Sequence, residues 1–181
     1  MHDVQSAWLL LLFCGNSRAN YLCRVLDPAS TEEYAEGHDA NMFRCLLRIL
    51  EVADDTIQPL WKIISTLPFH AGGMGLRSMR RIRAATYWAS WADCLPMIKI
   101  RHPGIADEIV TQLSEDDIQN TPLRELQKCA QLLTSRGMFL PSWENLLTGA
   151  RPKPPPPEER EPGVFQHGWQ FYAAKKVGLF M

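Results

Sequence analysis

Residues 67–78, LPFHAGGMGLRS, place three glycines within four positions and follow them with an arginine and a serine. Glycine-rich loops wrap phosphates when backbone N–H groups face the anion and a lysine neutralises it. A P-loop has four residues between its first glycine and a Gly-Lys-Ser/Thr, and GGMGLRS offers neither that spacing nor the lysine. A dinucleotide fingerprint needs a third glycine, but Gly73-Met74-Gly75 is followed by Leu76-Arg77-Ser78. The stretch therefore reads as a structural turn. Gly72, Gly73 and Gly75 supply positive φ or room for a close backbone approach, and Leu67-Pro68 brings the chain in extended. No cofactor is implied.

A second chemistry is suggested by VADDT, residues 52–56, because adjacent aspartates suit Mg²⁺ and two-metal phosphoryl transfer. That use requires a β-hairpin and a partner aspartate on an earlier strand. The preceding FRCLLRILE has helical period. The pair is accordingly expected at a helix C-terminus and acidic loop, with no metal site. No CxxC, HExxH or paired Cys/His spacing occurs. No nucleophile–base signature appears either. His38-Asp39 reads as a helix-surface pair, and His167 as part of an amphipathic contact in the tail.

The third candidate is a cluster of four arginines in seven positions: Arg77, Arg80, Arg81 and Arg83. Guanidinium forks match phosphate oxygens, so one reading is a nucleic-acid backbone contact. The other is a core helix whose arginines pair with acids such as those of residues 107–117. On a helical projection Ala84, Trp88, Trp91, Ala92 and Leu95 share one face, with Arg83, Thr86, Ser90 and Asp93 opposite. Arg80 and Arg81 extend the apolar face at its N-terminal end, beside the glycine turn.

The elements that must position these residues read as helices throughout. With 181 residues, 46% of them hydrophobic, the chain suits one domain plus a tail. A net charge of −1 gives no global pull toward nucleic acid or membrane, so any electrostatic partner is served by a local patch. The five cysteines lie in apolar helical runs, which points to core thiols in a reducing, intracellular compartment. AWLLLLFC, residues 7–14, is too short to span a bilayer and lacks a basic leader, so it reads as a buried helix.

A first helix is predicted over residues 4–14. Ser17 then serves as an N-cap for RANYLCRVL, and Ser30 with Glu33 forms a capping box for a helix through residue 52. In that helix Met42, Cys45, Leu46, Ile49 and Leu50 follow the apolar period. IQPLWKIIST follows. Ser78 caps MRRIRAATYWASWADCL, which ends near Pro96, and PGIADEIVTQL comes next. Thr121-Pro122 opens LRELQKCAQLLTSR, which Gly137 closes, before PSWENLLTG. Residues 151–162 are half proline and otherwise charged, the composition of an extended linker. The expected architecture is all-α: an irregular multi-helix bundle over 1–149, a proline-rich linker over 150–163, and a short truncated helical tail over 164–181.

Three stretches together, AWLLLLFCGNSRANYLCRVL, LPFHAGGMGLRSMRRIRAATYWASWADCLP and HGWQFYAA, resemble the region downstream of the reverse transcriptase domain in non-LTR (LINE-type) retrotransposon proteins. A GGLGLR-like element recurs there, and it stands here as Gly72-Gly73-Met74-Gly75-Leu76-Arg77. The resemblance implies RNA-directed DNA synthesis by the full-length protein. It places the palm's metal-binding aspartates upstream of residue 1, so this chain is expected to be a non-catalytic, thumb-like fragment. Its implied partners are an RNA/DNA template–primer duplex, contacted by Arg77, Arg80, Arg81 and Arg83, and the remainder of the polymerase chain. No membrane partner is implied. The residues alone keep two other readings open: a helical protein-interaction module, and an element remnant without independent activity.

Overall fold

The computed structural model describes residues 3–52, 58–115, 117–152 and 168–179, and no strand occurs among them. Asp54 and Asp55 of VADDT, His167 and most of the proline-rich segment lie outside the described residues. The fold is all-α, as the apolar periodicity predicts. Helix α1 (Val4–Leu10) runs without a break into a π-helical turn, Leu11–Gly15. Helices α2 (Asn20–Val25), α3 (Glu32–Ile49) and α4 (Pro59–Thr66) follow. A 3₁₀ turn, Phe69–Ala71, leads into α5 (Met79–Arg101). Beyond it come α6 (Pro103–Leu113), α7 (Thr121–Ser135), α8 (Trp143–Leu147) and α9 (Trp169–Leu179).

Helix α5 is the axis of the molecule. It packs against α2, α3, α6, α7, α8 and α9. The main core gathers Trp88, Leu95, Leu113, Leu126, Leu133 and Leu146 around it. Trp169 of α9 meets Trp88 edge to face at 5.4 Å, and Ala173 and Val177 of the same helix are buried beside it. Thus residues read from the sequence as a tail helix share one core with residues 84–146. A second cluster joins Ala19, Cys23 and Ala35 to Met79 and Ile82 of α5, and a third joins Leu11 and Leu46 to Leu76 of the glycine turn.

Several local expectations are corrected. Residues 84–89 of α5 are all buried, so the two-faced projection fails: Thr86, expected on the outer face, is 1% exposed. Over these residues α5 is surrounded by neighbours and has no solvent face, and Ala84, Ala85, Ala89 and Ala92 let those neighbours approach closely. Pro96 does not end the helix, which continues to Arg101. Proline inside a helix removes one hydrogen bond at a cost of about 3 kcal/mol. Burial of Leu95 and the Lys99–Asp107 ion pair to α6 hold the last turns in place despite that cost.

Ser17 does not cap α2; its hydroxyl donates back to the Phe13 carbonyl. Ser30 forms no capping box, because its N–H and hydroxyl both donate to Asp27, which closes the turn before α3. Leu50 is exposed and Leu47 takes the buried position instead, since the helix ends at Ile49 and Leu50 leaves its face. The expectation of core thiols holds for Cys23 and Cys129 but not for Cys14 and Cys94, which are exposed on the outer sides of their helices. Burial pushes the Cys129 thiol up to about 12, so it is an inert packing group. Among the described residues, no helix is long and apolar enough to cross a membrane.

Candidate nucleic-acid interface

The glycine stretch is a hook on the end of α4. A helix C-terminus leaves carbonyls without intrahelical donors. Here the turn supplies the missing N–H groups: Met74 donates to the Ile64 carbonyl at 3.2 Å, Leu76 to Ser65 at 3.0 Å and Gly75 to Leu67 at 2.9 Å. Gly72 donates to Phe69 and Gly73 to Pro68. Five successive amides are therefore spent on the protein's own carbonyls, and none faces outward to cradle a phosphate. Each glycine has a separate reason. Gly72 and Gly75 have φ of +78° and +72°. A Cβ on Gly73 would lie 2.1 Å from the Leu67 carbonyl oxygen, and one on Gly75 would lie 2.6 Å from the Phe69 ring.

From this hook the chain enters α5, whose first amides are also taken. Ser78 acts as the N-cap the sequence predicts, its hydroxyl oxygen accepting from the Arg81 N–H at 3.3 Å. The larger contribution comes from Asp39 in the middle of α3. Its carboxylate accepts from the Ser78 hydroxyl at 2.6 Å, the Met79 N–H at 2.8 Å and the Arg80 N–H at 3.2 Å. His38-Asp39 is thus no surface pair. The His38 ring is nearly buried, with Nε2 3.3 Å from the Gly15 carbonyl and Nδ1 3.7 Å from Asp39. Burial pushes the Asp39 carboxyl up. The adjacent His38 ring, the Ser78 hydroxyl and the two helix amides outweigh that effect and leave it below its ordinary value. Asn16, itself buried, completes the joint by accepting from the Arg77 N–H at 3.1 Å.

The arginine quartet divides. Arg83 turns inward: its guanidinium donates to Glu32 of α3 at 2.6 Å and its side chain is 18% exposed. Arg80 stays in solvent, 64% exposed, with Glu36 at 3.6 Å. Arg81 donates to the Thr66 hydroxyl at 3.4 Å. Among the described residues the acidic partners of Arg80 and Arg83 are therefore on α3, and not in residues 107–117 as the sequence suggested, where Asp107 is engaged by Lys99. Arg77, Arg80 and Arg81 line one groove of 530 Å³ between α3, α4 and the start of α5, and Lys62 of α4 joins them. Glu36 and Asp39 line the same groove. The capping role of Asp39 and the contribution of Asn16 escaped sequence reasoning because each acts on residues 39 to 61 positions away, and Lys62 because only the fold brings α4 beside the start of α5.

Among the described residues, no group of three His, Cys, Asp or Glu side chains could hold a metal ion. No protein-family model matches the chain, and neither a curated protein nor a solved structure matches it. The site stands on its own geometry.

Proposed function

We propose that this chain is a non-catalytic helical segment of the kind found downstream of the reverse transcriptase domain in LINE-type retrotransposon proteins, and that it contacts the phosphate backbone of an RNA/DNA template–primer duplex. The observation that carries this reading is the groove at the start of α5, where Lys62, Arg77, Arg80 and Arg81 converge. Of the two described carboxylates that line it, Asp39 is spent on the amides of α5 and Glu36 faces Arg80 at 3.6 Å, so among the described residues the cations outnumber the carboxylates left to oppose them. A local positive patch on a chain of net charge −1 is the footprint expected of a backbone contact. Arg83 supports the patch from behind by fixing α5 to α3 and does not face the ligand. The order of the GGMGLR turn, the YWASWADCLP helix and the HGWQ stretch supports the family part of the proposal.

Replacing Arg77, Arg80 and Arg81 together by alanine should weaken binding of an RNA–DNA hybrid and lower the salt slope by about one for each phosphate that is no longer neutralised. Fluorescence anisotropy across a salt series measures both. Unchanged affinity and slope in the triple variant would sink the proposal. The second reading, a protein-interaction module, is favoured by the Arg83–Glu32 and Arg80–Glu36 pairs, which tie arginines to the chain's own acids. It gains if the unaltered chain shows no salt-dependent binding to the hybrid.

A further inference from the structure

A second cleft, of 540 Å³, shares no lining residue with the basic groove. Its floor is Tyr87 and Trp91 of α5, whose rings meet edge to face at 6.4 Å. Val25 and Leu26 at the end of α2 form one wall, Ile105 and Ile109 of α6 the other, and the start of α7 closes one end. Val25, Leu26 and Ile105 are 56, 45 and 54% exposed, an apolar surface that folding leaves uncovered. The Tyr87 hydroxyl is already committed to the Pro122 carbonyl at 3.3 Å, which fixes the ring as a rigid floor.

The charges at this cleft are of one sign. Asp27 and Glu108 line it, and among the described residues no lysine or arginine does. Neither carboxylate has an ion pair among the described residues. Their hydrogen-bond partners are neutral: Ser30 for Asp27, and Gln112 for Glu108 at 3.2 Å. A purely apolar ligand would bury two unpaired carboxylates at a heavy desolvation cost. An acidic ligand would be repelled. A lysine or arginine next to an apolar anchor satisfies both features, because its alkyl stem covers the aliphatic rim while its head reaches the carboxylate.

We propose that this cleft docks a segment of a partner protein that presents leucine-sized side chains flanked by lysine or arginine. The complementarity is that of a helix or strand laid in an apolar groove with charges selecting the partner at the rim. It does not depend on nucleic-acid binding at the other groove.

The test uses the full chain and two labelled synthetic peptides with the same leucine spacing, one filled with lysine and the other with glutamate, at about 150 mM salt. The leucine–lysine peptide should bind. Ile105→Glu and Glu108→Lys should each weaken it about tenfold, while Arg80→Ala leaves it unchanged. Both altered cleft side chains are exposed, so circular dichroism and melting should match the unaltered chain. Equal binding by these variants, equal binding of the glutamate peptide, or no binding would overturn the proposal. So would concentration-dependent dimerisation that Ile105→Glu abolishes, which would give the cleft to a second copy. Tetraalkylammonium binding as tight as the peptide's would also overturn it, by making the cleft a small-cation site.

Discussion

Asp39 terminates a helix it does not belong to. Its carboxylate takes two amides of α5 and the Ser78 hydroxyl. Replacing it by alanine should cost about 2–3 kcal/mol, the cost of losing charged hydrogen bonds at a partly buried cap. Urea unfolding at neutral pH measures this. Because the folded carboxyl titrates below its ordinary value of 3.8, its contribution is present above that pH and is lost as pH falls through the folded value. The difference between native and Asp39→Ala stability should therefore shrink in acid. Asp93 behaves oppositely. Burial raises its carboxyl above 3.8, although the Trp169 amide and Arg151 pull it down. Its favourable contribution is present below 3.8 and is lost as pH rises through the folded value. Asp93→Asn, which keeps an acceptor for the Trp169 N–H, should lose none of the stability at neutral pH. The His38-Asp39 pair was visible in the sequence as two polar residues on a helix. Its role was not, because capping needs the α3–α5 crossing, which exists only after packing.

At the scale of elements, the glycine turn was the most legible feature and the length of α5 the least. Missing phosphate-loop partners sufficed to read residues 67–78 as structural, and five of the turn's amides are spent on the protein's own carbonyls, three of them at the end of α4. The two glycine demands differ in kind. Gly72→Ala meets open space and only a positive φ, and should cost about 1–2 kcal/mol. Gly73→Ala places a Cβ into the Leu67 carbonyl and should cost more, with displacement of the turn. Equal chemical denaturation midpoints for the two variants would contradict this account. Pro96 misled because its local penalty is real. The opposing gain comes from Leu95 in the core and from α6, both set by tertiary contacts that override local propensity. The arginine cluster was legible as a cluster. Which member turned inward was decided by Glu32, 51 residues earlier.

For the whole molecule, α9 makes the end of the chain part of its centre. Trp169 is 6% exposed and its indole N–H donates to the Ala150 carbonyl at 3.0 Å. Trp169→Ala should cost about 3–5 kcal/mol. It should lower the melting temperature of the whole chain in one step, because the same core holds Trp88, Leu126 and Leu146. Calorimetry that resolved an early, separate transition would contradict a shared core. The two clefts give this nearly neutral chain a groove lined by Lys62, Arg77, Arg80 and Arg81 at the start of α5 and one lined by Asp27 and Glu108 further along it, so on the two proposals above ligands would be selected by location and not by net charge.

The Asp39 cap also has a kinetic meaning. The carboxylate arrives from 39–41 residues earlier in the chain than the groups it binds. The first turn of α5 cannot be completed by local sequence alone and must wait for loop closure between α3 and α5. Such long-range contacts are penalised by chain entropy before they are rewarded. The start of α5 should consequently form late on the folding path, and removal of the cap should appear as faster unfolding with little change in the rate of folding.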